Sequence, residues 1–229
     1  MNHTRLLAAL VCVAACQSVH ASRSSLSDES DVAEAGDCES ELVFERLRTR
    51  GEPTQRERAV RLTCGVGWNT ELQVAHARLR SGAARGEAMV FEANTTLRNR
   101  GPDRIGWAVA LGIGAERIGG SWRRSEHGFA VEATKQIGDD WLLEGKLGAA
   151  RDVLSRRDSS LWALGLEHAV HERLELRAEL EGDDRGRPLV KLGLRYTLWP
   201  DLVQLKLSHG VRSGSQRERI TSVGLQVEF

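Results

Sequence analysis

The chain has 229 residues, 28% of them charged, and its 32 Lys and Arg balance 32 Asp and Glu to a formal net charge of zero. With a mean hydropathy of -0.35 and no apolar run near the roughly 20 residues that a membrane-crossing helix needs, the composition excludes a helical membrane protein. Neutrality also removes any whole-molecule attraction to nucleic acid or to acidic substrates, so a charge-based function has to come from local placement.

The first 21 residues have the three parts of a secretory signal: a basic start at Arg5, an apolar stretch from Leu6 to Ala15, and the small-residue ending Val19-His20-Ala21 before Ser22. A second pattern overlaps it, because Val13-Ala14-Ala15-Cys16 resembles a lipoprotein box whose cysteine would become a lipidated N-terminus. Residues 22 to 40 are acidic and Ser-rich with few large apolar side chains, too little apolar surface to offset the entropy of ordering them. A flexible tail is expected there.

From residue 41 to 229 the texture changes to short runs that alternate apolar and polar with period two, the signature of strands. The runs lie near 41–49, 58–67, 70–80, 87–98, 104–116, 126–137, 141–151, 159–169, 173–181, 188–198, 202–210 and 219–229. The clearest puts Leu174, Leu176, Ala178 and Leu180 on one face and Arg173, Glu175, Arg177, Glu179 and Glu181 on the other. A helix would bury these charges among the leucines, so strands are favoured despite several good helix formers. Two early runs alternate imperfectly, with Arg46, His76 and Arg78 on the apolar side, which leaves a bulge or a ten-stranded arrangement open beside the twelve-stranded one.

The connections fall into two alternating sets. Tight ones include Gly67 to Thr70, Gly138 to Asp140 and Trp199 to Asp201; longer, Arg-rich ones include Arg50 to Glu57, Gly119 to Ser125 and Val211 to Glu218. Short periplasmic turns alternating with longer outer loops, and strands of about ten residues, fit an antiparallel up-and-down transmembrane β-barrel. A soluble sandwich would favour strands nearer five or six residues. Trp68, Trp107, Trp141 and Trp199 fall at strand ends beside the tight turns, where amphipathic aromatics form a girdle at the headgroup level, and Trp162 is expected near the opposite rim.

The final run, with Val223, Leu225 and Val227 leading to Phe229, looks like the carboxy-terminal signal by which Gram-negative outer-membrane barrels are recognised by their assembly machinery. The hairpin segments Cys64-Gly-Val-Gly-Trp-Asn-Thr-Glu-Leu-Gln-Val and Ala169-Val-His-Glu-Arg-Leu-Glu-Leu resemble the outer-membrane transporters grouped under the label meta-pathway of phenol degradation. The resemblance is one of texture over most of 41 to 229 and carries no catalytic motif. It implies a barrel in the cell outer membrane with a transport role.

With the apolar stripe facing lipid, the lumen-lining set includes Arg61, Glu92, Glu132, Glu144, Lys146, Glu167, Arg173, Glu175, Arg177, Glu179, Lys191, Arg195 and Lys206, with Asn94, Thr134, Gln204 and Glu228 among them. Both signs are present, which suits either a narrow channel passing a small solute or a charge-paired plug with no aqueous path; a ring of one sign would have indicated ion selectivity. Gly106, Ala108, Ala110, Gly112 and Gly114 form a smooth inward stripe, on which neighbouring long side chains can fold or a permeant molecule can rest.

Arginines of the longer connections, among them Arg50, Arg56, Arg58, Arg85, Arg123, Arg124, Arg156, Arg157, Arg185, Arg187, Arg212 and Arg217, suit the phosphates of lipopolysaccharide. With Trp122 alone as an interleaved aromatic, they do not suggest nucleic acid. Cys38 and Cys64 both come near the periplasmic rim of the first hairpin, in an oxidising compartment, so a disulfide and two separate thiols both remain open. No metal-type Cys or His pairing occurs, and no cofactor is expected. His127, His168, His171, His209 and Ser208 are the groups a lipid-modifying enzyme would need, yet no Gly-x-Ser-x-Gly elbow is present and neighbours such as Ser208 and His209 face opposite ways on one strand. A non-enzymatic porin or transporter is the expectation, with a structural or surface-interaction barrel as its alternative.

Overall fold

The computed structural model describes residues 32–101, 103–117, 119–214 and 217–229; the expected signal segment and residues 22–31 of the tail lie outside them. Twelve strands follow in order: β1 (Cys38–Thr49), β2 (Gln55–Gly67), β3 (Thr70–Ser81), β4 (Ala84–Arg98), β5 (Gly106–Arg117), β6 (Trp122–Ile137), β7 (Trp141–Asp152), β8 (Arg157–His171), β9 (Leu174–Asp183), β10 (Leu189–Trp199), β11 (Val203–Arg212) and β12 (Glu218–Glu228). Each pairs antiparallel with its neighbours in sequence, and β1 closes the barrel against β12. We call the end holding the start of β1 and Phe229 the periplasmic end, and the opposite one the outer end.

Period two fixes the register. A one-residue slip would turn the glutamates of β9 outward and its leucines into the lumen. The ten-stranded alternative fails because β1 pairs with β2 from Cys38 opposite Cys64 to Leu47 opposite Gln55, without a shift. Arg46, His76 and Arg78 share the outward parity of Leu42, Val60 and Leu72, so the alternation holds there and the outer face simply becomes basic toward one end. Several strands run further than periodicity indicated: β2 begins at Gln55, β4 at Ala84 and β6 at Trp122. Apart from Trp122, their outer ends are built from charged, polar or small residues, so hydrophobic alternation disappears although backbone pairing continues. The connections at that end are correspondingly shorter than expected; β3 reaches β4 through Gly82 and Ala83 alone.

Outward positions such as Leu111, Ile113, Phe129, Leu147 and Leu192 are exposed, an apolar belt that only an apolar solvent can cover. Apolar inward packing forms two small clusters, the alanines Ala59, Ala77 and Ala88 in one and the larger Leu47, Leu189 and Ile220 in the other. Trp68 and Asn69 both have φ of 53°, the left-handed pair of a type I′ hairpin turn, which leaves the indole exposed at the periplasmic end. Trp141 stacks on His168 with ring centroids 4.0 Å apart at the same end. Trp162 lies outward over Gly182, where a Cβ would come within 3.0 Å of the indole.

Residues 33–37 do not hang free before β1. The Gly36 N–H donates to the Gly65 carbonyl at 3.0 Å, the Gly65 N–H to the Asp37 carbonyl at 3.0 Å, and the Ala33 N–H to Glu71 Oε2 at 3.2 Å. Gly65 has the inward parity of Arg61 and Thr63, and a Cβ on it would lie 2.1 Å from the Glu34 carbonyl oxygen. The segment therefore crosses the lumenal side of β2, and only glycine permits that approach. Gly65→Val is expected to expel it: hydrogen exchange at the amides of Gly36 and Asp37 should rise to unprotected rates while β5–β8 stay protected. Unchanged protection would show that the segment is held by other means.

Candidate functional site

The strands bring the long polar side chains of β1, β2 and β6–β11 together across the lumen. On β9, the guanidinium of Arg177 meets Glu144 of β7 at 3.2 Å, Glu167 of β8 at 3.0 Å and Glu179 of its own strand at 2.5 Å. Lys191 of β10 bridges Glu181 at 2.9 Å and Glu179 at 3.4 Å. Lys146 pairs with Glu132 at 2.7 Å, and Arg195 with Glu175 at 3.0 Å. Across the β1–β12 seam, Glu41 receives Arg61 at 2.8 Å from one side and Lys206 at 3.6 Å from the other. Apart from the more open Arg195–Glu175 pair, these groups are largely buried and form a belt part-way along the barrel.

Space lies on both sides of the belt. Toward the outer end is a cavity of about 470 Å³ against the small-residue wall of Ala110, Gly112, Ala130, Gly148 and Ala163. Toward the periplasmic end a cavity of about 360 Å³ is lined by Glu39, Arg100, Arg195, Gln226 and Glu228. Between them the belt, with Glu41, Glu45, Arg61 and Lys191 in its wall, leaves only about 110 Å³. Neighbouring side chains cover part of the smooth β5 stripe and leave space against the rest. Glu92 folds over Gly112 and Glu126 over Gly114, where a Cβ would meet the Glu126 Cγ at 2.8 Å, and the outer cavity opens against the rest.

The zero net charge of the chain resolves into two opposite surfaces. On the inward positions carboxylates outnumber bases, since β1, β2 and β9 contribute Glu39, Glu41, Glu45, Glu57, Glu179 and Glu181. On the outward positions toward the outer ends of β1–β4 the charges are Arg46, Arg48, Arg56, Arg58, Arg78, Arg80 and Arg85 against Glu87. The lumen is acidic and the adjoining wall is basic.

Of the lumen-lining set expected from the sequence, Arg61, Glu92, Glu132, Glu144, Lys146, Glu167, Glu175, Arg177, Glu179, Lys191, Arg195 and Lys206 hold inward positions. Arg173 does not. It sits exposed in the β8–β9 turn, its N–H donating to His171 Nδ1 at 3.4 Å, because the tight hairpin takes up Glu172 and Arg173 before β9 begins. The sequence reading missed Glu41, Glu45 and Gln226. In β1 the inward face mixes Glu41 and Glu45 with Val43 and Leu47, so polarity alone does not mark it; Gln226 shares the parity of Glu228, a signal that was readable.

Cys38 and Cys64 form a disulfide on the outward face of the β1–β2 pair, with Cα atoms 4.2 Å apart. Val223, Leu225 and Val227 face outward on β12, and the Phe229 N–H donates to the Cys38 carbonyl at 2.8 Å. Several arginines read as loop residues belong to strands: Arg56, Arg58 and Arg85 face outward, while Arg212 turns inward and pairs with Glu218 at 3.1 Å. The histidines do not assemble around Ser208. Ser208 bonds the Ser222 hydroxyl at 2.6 Å inside the barrel, His209 meets the Thr221 hydroxyl at 2.9 Å outside it, and His127 also faces outward.

The same barrel occurs in solved outer-membrane channels. The COG4313 outer membrane channel from Pseudomonas putida F1 superimposes with a TM-score of 0.69 at 11% identity, covering 88% of this chain and 98% of that one. The KdgM porin in complex with disordered oligogalacturonate gives 0.60 at 10% identity, covering 82% and 99%. The NanC porin gives 0.59 at 12% identity, covering 81% and 98%. No curated protein matches the chain. A family model described as uncharacterised conserved protein UCP029691 matches residues 9–229.

Proposed function

We propose that this chain, which belongs to that family of uncharacterised conserved proteins, is an outer-membrane channel that passes small neutral or cationic solutes through a narrow acidic lumen. The observation that carries the reading is the pair of cavities, about 470 and 360 Å³, on either side of a belt whose carboxylates outnumber its bases and which itself holds about 110 Å³ of space. A wall of one dominant sign concentrates counter-ions and raises the barrier for ions of its own sign. The fold shared with outer-membrane channels supports the location and the class of activity. Oligogalacturonate, named for the KdgM porin, is an anion and is not carried over to a lumen of this charge.

The test is single-channel recording of the refolded protein in a planar bilayer under a KCl gradient. Small, stable conductance steps with a reversal potential on the potassium side are expected, and Glu41→Gln with Glu45→Gln should move that potential toward zero. Anion selectivity would overturn the acidic-lumen reading. A second reading has its own observation: the ion pairs around Arg177 and Lys191 leave a constriction of about 110 Å³. A folded but electrically silent barrel would favour that plugged, structural role.

A further inference from the structure

The outer face of the barrel carries a row of like charges that the lumen does not explain. Arg46 of β1 stands opposite Arg56 of β2, Arg56 opposite Arg80 of β3, and Arg80 opposite Arg85 of β4. Four exposed arginines on four successive strands thus form one cross-strand line, about 15 Å long at the usual strand spacing of about 4.8 Å. One pair of residues closer to the periplasmic end, a second line runs Phe44, Arg58, Arg78, Glu87 and Arg117. Glu87 lies 3.8 Å from Arg78 and also pairs with Arg117. The next line is Leu42, Val60, His76 and Met89, where the apolar band begins.

Like charges directly opposed across strands destabilise a sheet. Among the described residues no carboxylate pairs with any of the four in the first line, and Arg80 has only a 3.5 Å hydrogen bond from Nε to the Gly82 carbonyl. The guanidinium groups belong to outward positions of the wall, with the line of Phe44, Arg58, Arg78, Glu87 and Arg117 between them and the apolar band, rather than to loops reaching up into water. A ligand that satisfies them must therefore hold its anionic groups over hydrocarbon chains. Guanidinium binds phosphate through two parallel hydrogen bonds, and a line of four such groups suits a headgroup bearing more than one phosphate better than a phospholipid bearing one.

We propose that the Arg46–Arg56–Arg80–Arg85 line is a docking surface for the phosphates of the outer-leaflet phosphoglycolipid, lipopolysaccharide, whose acyl chains lie on Leu42, Val60 and Met89 below. The proposal rests on the outer-membrane reading above. It places the contact on the barrel wall between β1 and β4 and not on the loop arginines.

The experiment measures binding of purified bisphosphorylated lipid A to the detergent-solubilised barrel by native mass spectrometry, with phosphatidylglycerol as comparator. Arg46→Gln, Arg56→Gln, Arg80→Gln and Arg85→Gln combined should raise the Kd for lipid A tenfold or more, while Arg50→Gln with Arg187→Gln leaves it unchanged. The Arg56→Gln, Arg80→Gln pair serves as the milder variant should the fourfold one not fold, and the heat-dependent gel shift reports folding for each. Equal lipid A binding by wild type and both row variants overturns the proposal, as does phosphatidylglycerol binding as tightly as lipid A. Cell fractionation separates this outcome from failure of the membrane reading: wild-type protein absent from the outer membrane would overturn that reading, whereas correct fractionation with unaltered lipid A binding overturns the docking surface alone.

Discussion

Replacing Arg177 with methionine will lower the stability of the barrel by about 3–5 kcal/mol, the range for breaking a buried ion pair by removing one partner. The guanidinium faces Glu144, Glu167 and Glu179, whose side chains are 2%, 12% and 6% exposed. Only the Nη2 contact to Glu144 has hydrogen-bond geometry; the other two are close charge contacts without it. The loss is thus chiefly electrostatic, since three carboxylates on β7, β8 and β9 lose the cation they share in a poorly hydrated space, while Glu179 keeps Lys191 at 3.4 Å. Arg177→Lys should recover part of the stability, since an ammonium is a point charge that cannot address three strands at once. The midpoint of urea unfolding in detergent micelles, followed by tryptophan fluorescence, measures both variants. A methionine variant within about 0.5 kcal/mol of wild type, the range of ordinary surface substitutions, would mean that the belt is solvated and contributes no strain-bearing network. Loss of the guanidinium also removes one of the three arginine side chains lining the constriction, so single-channel conductance should rise together with the fall in stability.

That belt shows how far the sequence could be read. Strict alternation in β9 and β10 made the inward positions Glu175, Arg177, Glu179, Lys191 and Arg195 legible, because an apolar residue at every other position leaves no second solution. β1 was hard for the opposite reason. Its inward face carries Val43 and Leu47 beside Glu41 and Glu45, and its outward face passes from Leu42 and Phe44 to Arg46 and Arg48. Apolar and charged residues occupy both faces, so only pairing with β2 and β12 assigns them. Arg173 was misplaced because alternation continues into a turn that backbone geometry, not polarity, ends. The interaction of residues 33–37 with Gly65 was illegible, since a hydrogen bond between backbone groups leaves no trace in an acidic segment.

The segregation of charge follows from the same arithmetic of faces. Mixed signs at the inward positions suit either a narrow channel or a charge-paired plug, and the ion pairs of Lys146, Lys191 and Arg195 are present. Yet many of the bases that balance the chain's carboxylates point outward from β1–β4, which leaves the lumen with an acidic excess. Net charge constrains neither surface once the strands divide it between two environments.

Replacing Cys38 and Cys64 together with serine should reduce stability by about 3.5 kcal/mol, the chain-entropy value for a cross-link closing 26 residues. The bond joins β1 to β2 where three other contacts converge. Cys38 donates its N–H to the Phe229 carbonyl at 3.0 Å, receives the Phe229 N–H at 2.8 Å, and follows Asp37, whose carbonyl accepts from Gly65. β1 is also the strand that closes the ring on β12, and the end of a closing strand is where a barrel frays first. Loss of the cross-link should therefore act locally as well as globally: amide exchange should quicken at the periplasmic ends of β1 and β12 before it changes in β6–β8. Reduced wild-type protein should match the double-serine variant in both unfolding midpoint and exchange pattern, because each lacks the same covalent constraint. If reduction and substitution leave the midpoint where it was, the seam is held by its backbone ladder alone and the disulfide contributes nothing to closure.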